Sequence, residues 1–130
     1  MIRRDGNNRD WRERRQKREL SGRVAELIAA VYLLTKGYRI LARRHKSRLG
    51  EIDLIAVRGR RLAFVEVKRR ATLDEARAAV TDAQARRVAQ AAERWVWRNL
   101  RYRDYEIGLD AVLIVPGRLP HHARHALQPI

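Results

Sequence analysis

The chain of 130 residues is 45% hydrophobic and 35% charged, enough for one packed core and too short for two. It holds no cysteine, which excludes a disulfide framework and a thiolate metal site. Lys and Arg total 30 against 15 Asp and Glu, a formal net charge of +15 that favours a polyanion partner through phosphate contacts and counterion release.

Residues 1–19 mix bases with acids around Trp11 and show no apolar period, which predicts a basic arm, flexible or loosely helical. Its start lacks the apolar segment of a secretory leader. No apolar run approaches the ~18 residues of a membrane span, so no membrane role and a cytoplasmic location are expected. From Leu20 the pattern changes. Leu20, Val24, Leu27, Ile28, Val31 and Leu34 recur at helical spacing and predict a helix stopped by Gly37. Glu26 lies off that stripe, beside Gly22, Ala29 and Ala30, where small side chains let a helix pack closely. Its type and place fit a site residue and a solvated face equally.

Residues 38–42 read as a short strand and 43–48 as a basic loop carrying Arg43, Arg44, Lys46 and Arg48. A second strand covers 52–57. Gly59 marks a tight turn into a third strand over 62–68, and the two strands form a hairpin. Arg69 and Arg70 follow at the start of a loop over 69–80 that holds at most a helical turn. Thr81, with Gln84 three residues on, has the capping-box form and opens a long helix through Val88, Ala91, Ala92, Trp95 and Val96. Trp95 and Trp97 face different sides of it, so at most one is core. A last strand spans 107–115 and stops at Pro116-Gly117. The remaining residues, 117–130, read as a polar tail, and its His121, His122 and His125 are assigned no task. The order α-β-β-β-α-β describes an α/β fold, a mixed sheet flanked by helices, over residues 20–116.

Acids stand in this hairpin where core strands should have none. Glu66 and Lys68 are two apart, so a strand sends both to one face, and Asp53 lies within the preceding strand. Ionised groups there are costly unless paired or bound to metal. Phosphodiester hydrolysis needs a metal that holds the phosphate and activates a water, and magnesium takes one or two carboxylates for this. Asp53 and Glu66 are the candidate ligands of Mg²⁺ or Mn²⁺, and Lys68 is placed to orient the water or steady charge on phosphorus. The competing reading is an ion pair of Lys68 with Glu66 or Asp53 that fixes the hairpin.

The runs Gly22-Arg23-x-Ala25-Glu26, Gly37-Tyr38, Gly50-Glu51-Ile52-Asp53-Leu54-Ile55 and Phe64-Val65-Glu66-Val67-Lys68 resemble the YraN family. They are also similar to the wider PD-(D/E)xK nuclease superfamily, with Ile52 where that name has proline. The resemblance covers roughly residues 20–115. It implies a restriction-endonuclease-like fold and a layout similar to archaeal Holliday-junction resolvases. On that layout Glu26 is the helix glutamate, Asp53 the central metal ligand, Glu66 the second ligand and Lys68 the catalytic lysine. Gln84 resembles the glutamine that follows the Glu-x-Lys strand in several nuclease families, against its simpler role in a capping box. The resemblance also includes an Asp in the last strand. Asp110 there is expected to partner a buried arginine.

Three functions stay open on these grounds. The first is a metal-dependent nuclease on DNA, structured or branched DNA included. The second is a non-catalytic nucleic-acid-binding protein on the same fold, and the third a basic structural protein on RNA. In each, Arg43, Arg44, Lys46, Arg48, Arg69 and Arg70 are the expected nucleic-acid contacts, with DNA placed ahead of RNA. A homodimer is compatible with all three, but no face for it is legible.

Overall fold

Three consecutive strands joined by tight turns pair in sequence order, and the rest of the fold is built on that meander. β1 (Arg39–Ser47), β2 (Gly50–Arg58) and β3 (Arg61–Arg69) are antiparallel neighbours. β4 (Glu106–Ile114) adds to β3 in parallel, and β5 (His121–Ala123) closes the edge antiparallel to β4. The sheet order is therefore β1-β2-β3-β4-β5. This computed structural model describes the backbone of residues 4–128 and the side chains of 9–16 and 22–128. A parallel β3–β4 pair needs a crossover. α2 (Leu73–Ala78), α3 (Asp82–Arg98) and a 3-10 turn at Leu100–Tyr102 provide it. α1 (Arg4–Thr35) covers the other face. The result is the helix-flanked mixed sheet expected from the sequence, with a restriction-endonuclease-like layout.

The two faces of the sheet hold two apolar layers. Ala25, Ala29, Ala30 and Leu33 of α1 lie on Leu54, Ala56, Ala63, Val65 and Val112. Val88, Ala91 and Ala92 of α3 lie on Ile55, Val57, Leu62 and Phe64. Trp95 meets Phe64 edge-on at 5.7 Å, whereas Trp97 is exposed, so one tryptophan of the pair belongs to the core. Gly37, at φ 89, ends α1: its N–H and that of Tyr38 bond back to Leu34 and Leu33.

Several boundaries differ from the sequence reading, each for a local reason. α1 begins at Arg4 rather than near Ser21. The Arg, Glu and Gln residues of this segment are strong helix formers, and Asp10 and Arg14 are spaced i,i+4. The side chains at 1–8 and 17–21, Leu20 included, lie outside the described residues. The basic segment 43–48 is mostly strand, because β1 pairs with β2 as far as Ser47–Gly50. In the 69–80 segment Thr72 accepts from the Glu75 N–H and caps a complete short helix, α2.

The tail is not idle. His122 in β5 lies 2.8 Å from Asp110 Oδ2, and the His125 N–H donates to Asp110 Oδ1 at 3.0 Å. Asp110 is also gripped by both Arg61 guanidinium nitrogens at 2.6 and 2.8 Å, so the arginine partner expected for it is Arg61. That guanidinium lies over Gly108, where any Cβ would collide with it. Burial pushes the Asp110 carboxyl up, but the bonds from Arg61, His122 and the His125 N–H outweigh it and hold the group below the ordinary carboxylate range. Asp110 thus ties β3, β4 and β5 together.

Candidate active site

The β2–β3 ladder stops at the Leu54–Val65 pair. One residue further along the two strands stand Asp53 and Glu66. There the Val67 N–H bonds to Asp53 Oδ2, at 2.8 Å, instead of to a backbone carbonyl. On the other side of β2 the ladder steps from Arg43–Leu54 to His45–Ile52, and Arg44 between them has a φ of 52. A left-handed residue inside a strand redirects its side chain. Arg44 Nε reaches across to Glu26 Oε2 of α1, at 3.0 Å. The sheet therefore opens where the acids sit.

A cavity of about 480 Å³ occupies this opening. Glu26 lines it from α1, Arg44 and Lys46 from β1, Glu51 and Asp53 from β2, and Glu66 from β3. Gly22 and Arg23 form the α1 rim. Glu26 is buried, consistent with its position on the small-residue face of α1, and its Oε1 has no hydrogen-bond partner. Arg43 Nε approaches that oxygen only to 3.6 Å.

The acids repel one another in this enclosure. Burial, followed by the Glu66 charge, pushes the Asp53 carboxyl up to about 7, although the Val67 N–H pulls partly the other way. Burial also raises Glu66, and the Glu51 charge adds to it, against the opposing pull of Lys68 and Arg87. Lys68 Nζ sits 3.2 Å from Glu66 Oε1. Asp53, Glu66 and Glu26 thus line one opening, and Lys68 joins them only through its pair with Glu66. The ion pair of the competing reading is formed as well.

A divalent cation suits this donor set. Among the described residues no three His, Cys, Asp or Glu side chains converge into a ready cage. Magnesium needs no such cage, since it is held by one or two carboxylates with water and phosphate oxygens completing its shell. The carboxyls of Asp53 and Glu66 and the Glu26 Oε1, which accepts no hydrogen bond, are hard oxygen donors of the kind such a cation takes.

The remaining candidates are distributed unevenly. Lys46 and Arg44 face the cavity, and Arg43, Arg48, Arg69 and Arg70 are exposed. Gln84 does not line the cavity: its N–H donates to Thr81 Oγ1 at 3.2 Å, and its Oε1 is buried without a partner. Glu51 was given no role in the sequence, although it stands two residues from Asp53 and so shares its side of the strand. Arg87, whose charge acts on Glu66, had no sequence signal, because only the fold brings α3 to this end of β3.

An α1-backed mixed sheet with Asp53 and Glu66-x-Lys68 at its opening defines a restriction-endonuclease-like α/β protein. A family model described as uncharacterised protein family UPF0102 matches residues 25–114, and the chain belongs to that family. A UPF0102 protein of Rhodopseudomonas palustris strain HaA2 is 53% identical over 102 residues, 78% of this chain and 80% of its own length. One from Nitrobacter winogradskyi is 50% identical over 102 residues, 78% of this chain and 86% of the relative. One from Mesorhizobium japonicum is 46% identical over 112 residues, 86% of this chain and 90% of the relative. Among the described residues no helix is long and apolar enough to cross a membrane.

Proposed function

We propose that this chain is a divalent-metal-dependent nuclease that hydrolyses phosphodiester bonds in DNA, branched or otherwise structured DNA included. The observation that carries the reading is the Asp53–Glu66 pair: a half-buried and a buried acid, both with raised pKa values, in a cavity rimmed by Arg44 and Lys46. A protein that only bound phosphate would gain affinity by losing both negative charges. A bound Mg²⁺ or Mn²⁺ supplies charge to polarise the phosphate and acidify water. Asp53 and Glu66 would hold it, with Glu26 completing the acidic wall. Lys68, beside Glu66, would orient the water or neutralise charge developing on phosphorus. Arg44 and Lys46 lead the backbone into the opening, and Arg43, Arg48, Arg69 and Arg70 hold the strand outside it.

The intact Lys68–Glu66 pair, at 3.2 Å, favours a second reading, a nucleic-acid-binding protein that does not cut. Calorimetric titration of Mg²⁺ and Mn²⁺ into the chain, with a non-cleavable oligonucleotide present and Asp53→Asn as control, separates the two. Millimolar or tighter binding that Asp53→Asn loses, followed by cleavage of flapped, nicked or four-way DNA, supports the nuclease. No metal binding overturns it in favour of the binder.

A further inference from the structure

The longest apolar stripe in the sequence does not face the core. α1 buries its small residues Ala25, Ala29 and Ala30 with Leu33, which turns Val24, Leu27, Ile28, Val31 and Leu34 to solvent. These five are 47%, 50%, 40%, 52% and 54% exposed. Together they leave roughly 450 Å² of apolar surface, within the range of the largest patch on a monomer, which is often functional. The stripe carries no charge, on a chain whose net charge is +15.

We propose that this stripe is a two-fold interface with a second copy of the chain, α1 packed antiparallel on α1. The spacing 24, 27, 31, 34 alternates by three and four, the seam by which one helix packs along another. An antiparallel two-fold centred near residue 29 sets Val24 against Leu34 and Leu27 against Val31, so the same residues complete each other's layers. It also sets Arg23 against Thr35. A parallel pairing sets Arg23 against Arg23, which like charges oppose. Two copies bring roughly 900 Å² of apolar surface, close to the ~1,000 Å² a specific interface should clear, and the exposed Arg23, Thr35 and Lys36 at the ends of the stripe add to it. An acidic partner helix is disfavoured, because the stripe itself carries no base and offers carboxylates only Arg23 and Lys36 at its two ends. Gly22, Arg23 and Glu26 lie on the flank of the same helix, so the two-fold would fix the distance between two acidic cavities.

The test needs neither metal nor nucleic acid, so its failure is separable from failure of the nuclease reading. The full chain is sedimented from low to high micromolar concentration, beside Leu27→Glu/Val31→Glu. Both sites are solvent-exposed on α1, so the variant keeps its fold, checked by circular dichroism. The expected result is twice the 15.3 kDa chain mass for the unaltered protein and the single mass for the variant. Ile28→Cys, in a chain without native cysteine, should cross-link on oxidation, while Arg118→Cys should not. A single-mass species throughout, or a variant that still dimerises, overturns the proposal. The first of these outcomes gives the stripe to a different protein.

Discussion

Asp53 Oδ2 accepts from the Val67 N–H at 2.8 Å, so a side chain takes the ladder position that backbone would fill in an unbroken hairpin. This substitution holds β2 and β3 apart while keeping the Val67 donor satisfied. It also holds Asp53 near Glu66, where its carboxyl rises to about 7.

That rise makes stability fall with pH. Asp53 binds its proton more tightly in the folded chain than in the unfolded one, where the ordinary value is 3.8. The contribution is full below the unfolded value and is lost as pH climbs to about 7. Asp53→Asn keeps an oxygen for the Val67 N–H and removes the charge. In chelator, the variant should be more stable than the parent by about 1–2 kcal/mol at pH 8, a figure discounted for partial exposure, and the gap should close toward pH 5. Urea unfolding at the two pH values measures it. A variant less stable than the parent at pH 8 means that the acid pair is not repulsive.

Asp110 has the opposite sign. Its carboxyl is held below the ordinary range, so its contribution is present above that range and is lost only in strong acid. Asp110→Asn leaves the buried Arg61 guanidinium without its counter-charge and should cost about 3–5 kcal/mol. Arg61→Met combined with Asp110→Asn should recover most of that loss, since neither charge then remains buried. Hydrogen exchange should also show β5 opening in the single variant, because His122 and the His125 N–H lose their acceptor. If the double variant is as unstable as the single, the damage lies in packing and not in an orphaned charge.

Glu26 restrains Arg44 at 3.0 Å and Arg43 at 3.6 Å. Glu26→Gln frees both and removes a negative charge beside the cavity. DNA affinity at ~0.1 M salt should rise several-fold, and the slope of log affinity against log salt should steepen by up to about one. If Glu26 belongs to the cation's wall, cleavage should fall in the same variant. Rising affinity with unchanged cleavage would confine Glu26 to positioning the two arginines.

The hairpin and its acids were legible because strand alternation is rigid: once 62–68 reads as a strand, Glu66 and Lys68 must share a face. The Asp110–arginine partnership was legible for a similar reason, since a carboxylate in an apolar strand needs a cation. Which arginine was not, because Arg61 is 49 positions away and only the parallel β3–β4 pairing brings it close. The buried side of α1 was masked by chemistry. Its large apolar residues point outward, while alanines admit the helix close to the sheet, so the period located the helix and only the small residues beside Glu26 hinted at its buried face. β5 was hidden because Pro120 and two histidines resemble a loop, and its pairing rests on Asp110 across the sheet.

Lys68 is where the two functional readings part. Its Nζ is 3.2 Å from Glu66 Oε1 and both side chains are largely buried, so Lys68→Met alone perturbs charge and stability together. It removes the cation that opposes the rise of Glu66, and the chain should lose stability as pH increases above the ordinary carboxylate range. Glu66→Gln added to Lys68→Met relieves that burden and should restore the parent's urea midpoint near pH 8. Cleavage should stay down by a factor of about 10²–10⁴ in both variants if Lys68 acts on the water or the phosphate. Because Glu66→Gln also removes a proposed ligand, Lys68→Arg completes the set. It keeps the charge and the pair, so its DNA affinity should match the parent, while the bulkier planar guanidinium cannot set a compact charge at the same point on the water or the phosphate and should still cut poorly. Full activity in Lys68→Arg would reduce Lys68 to a counter-charge for Glu66.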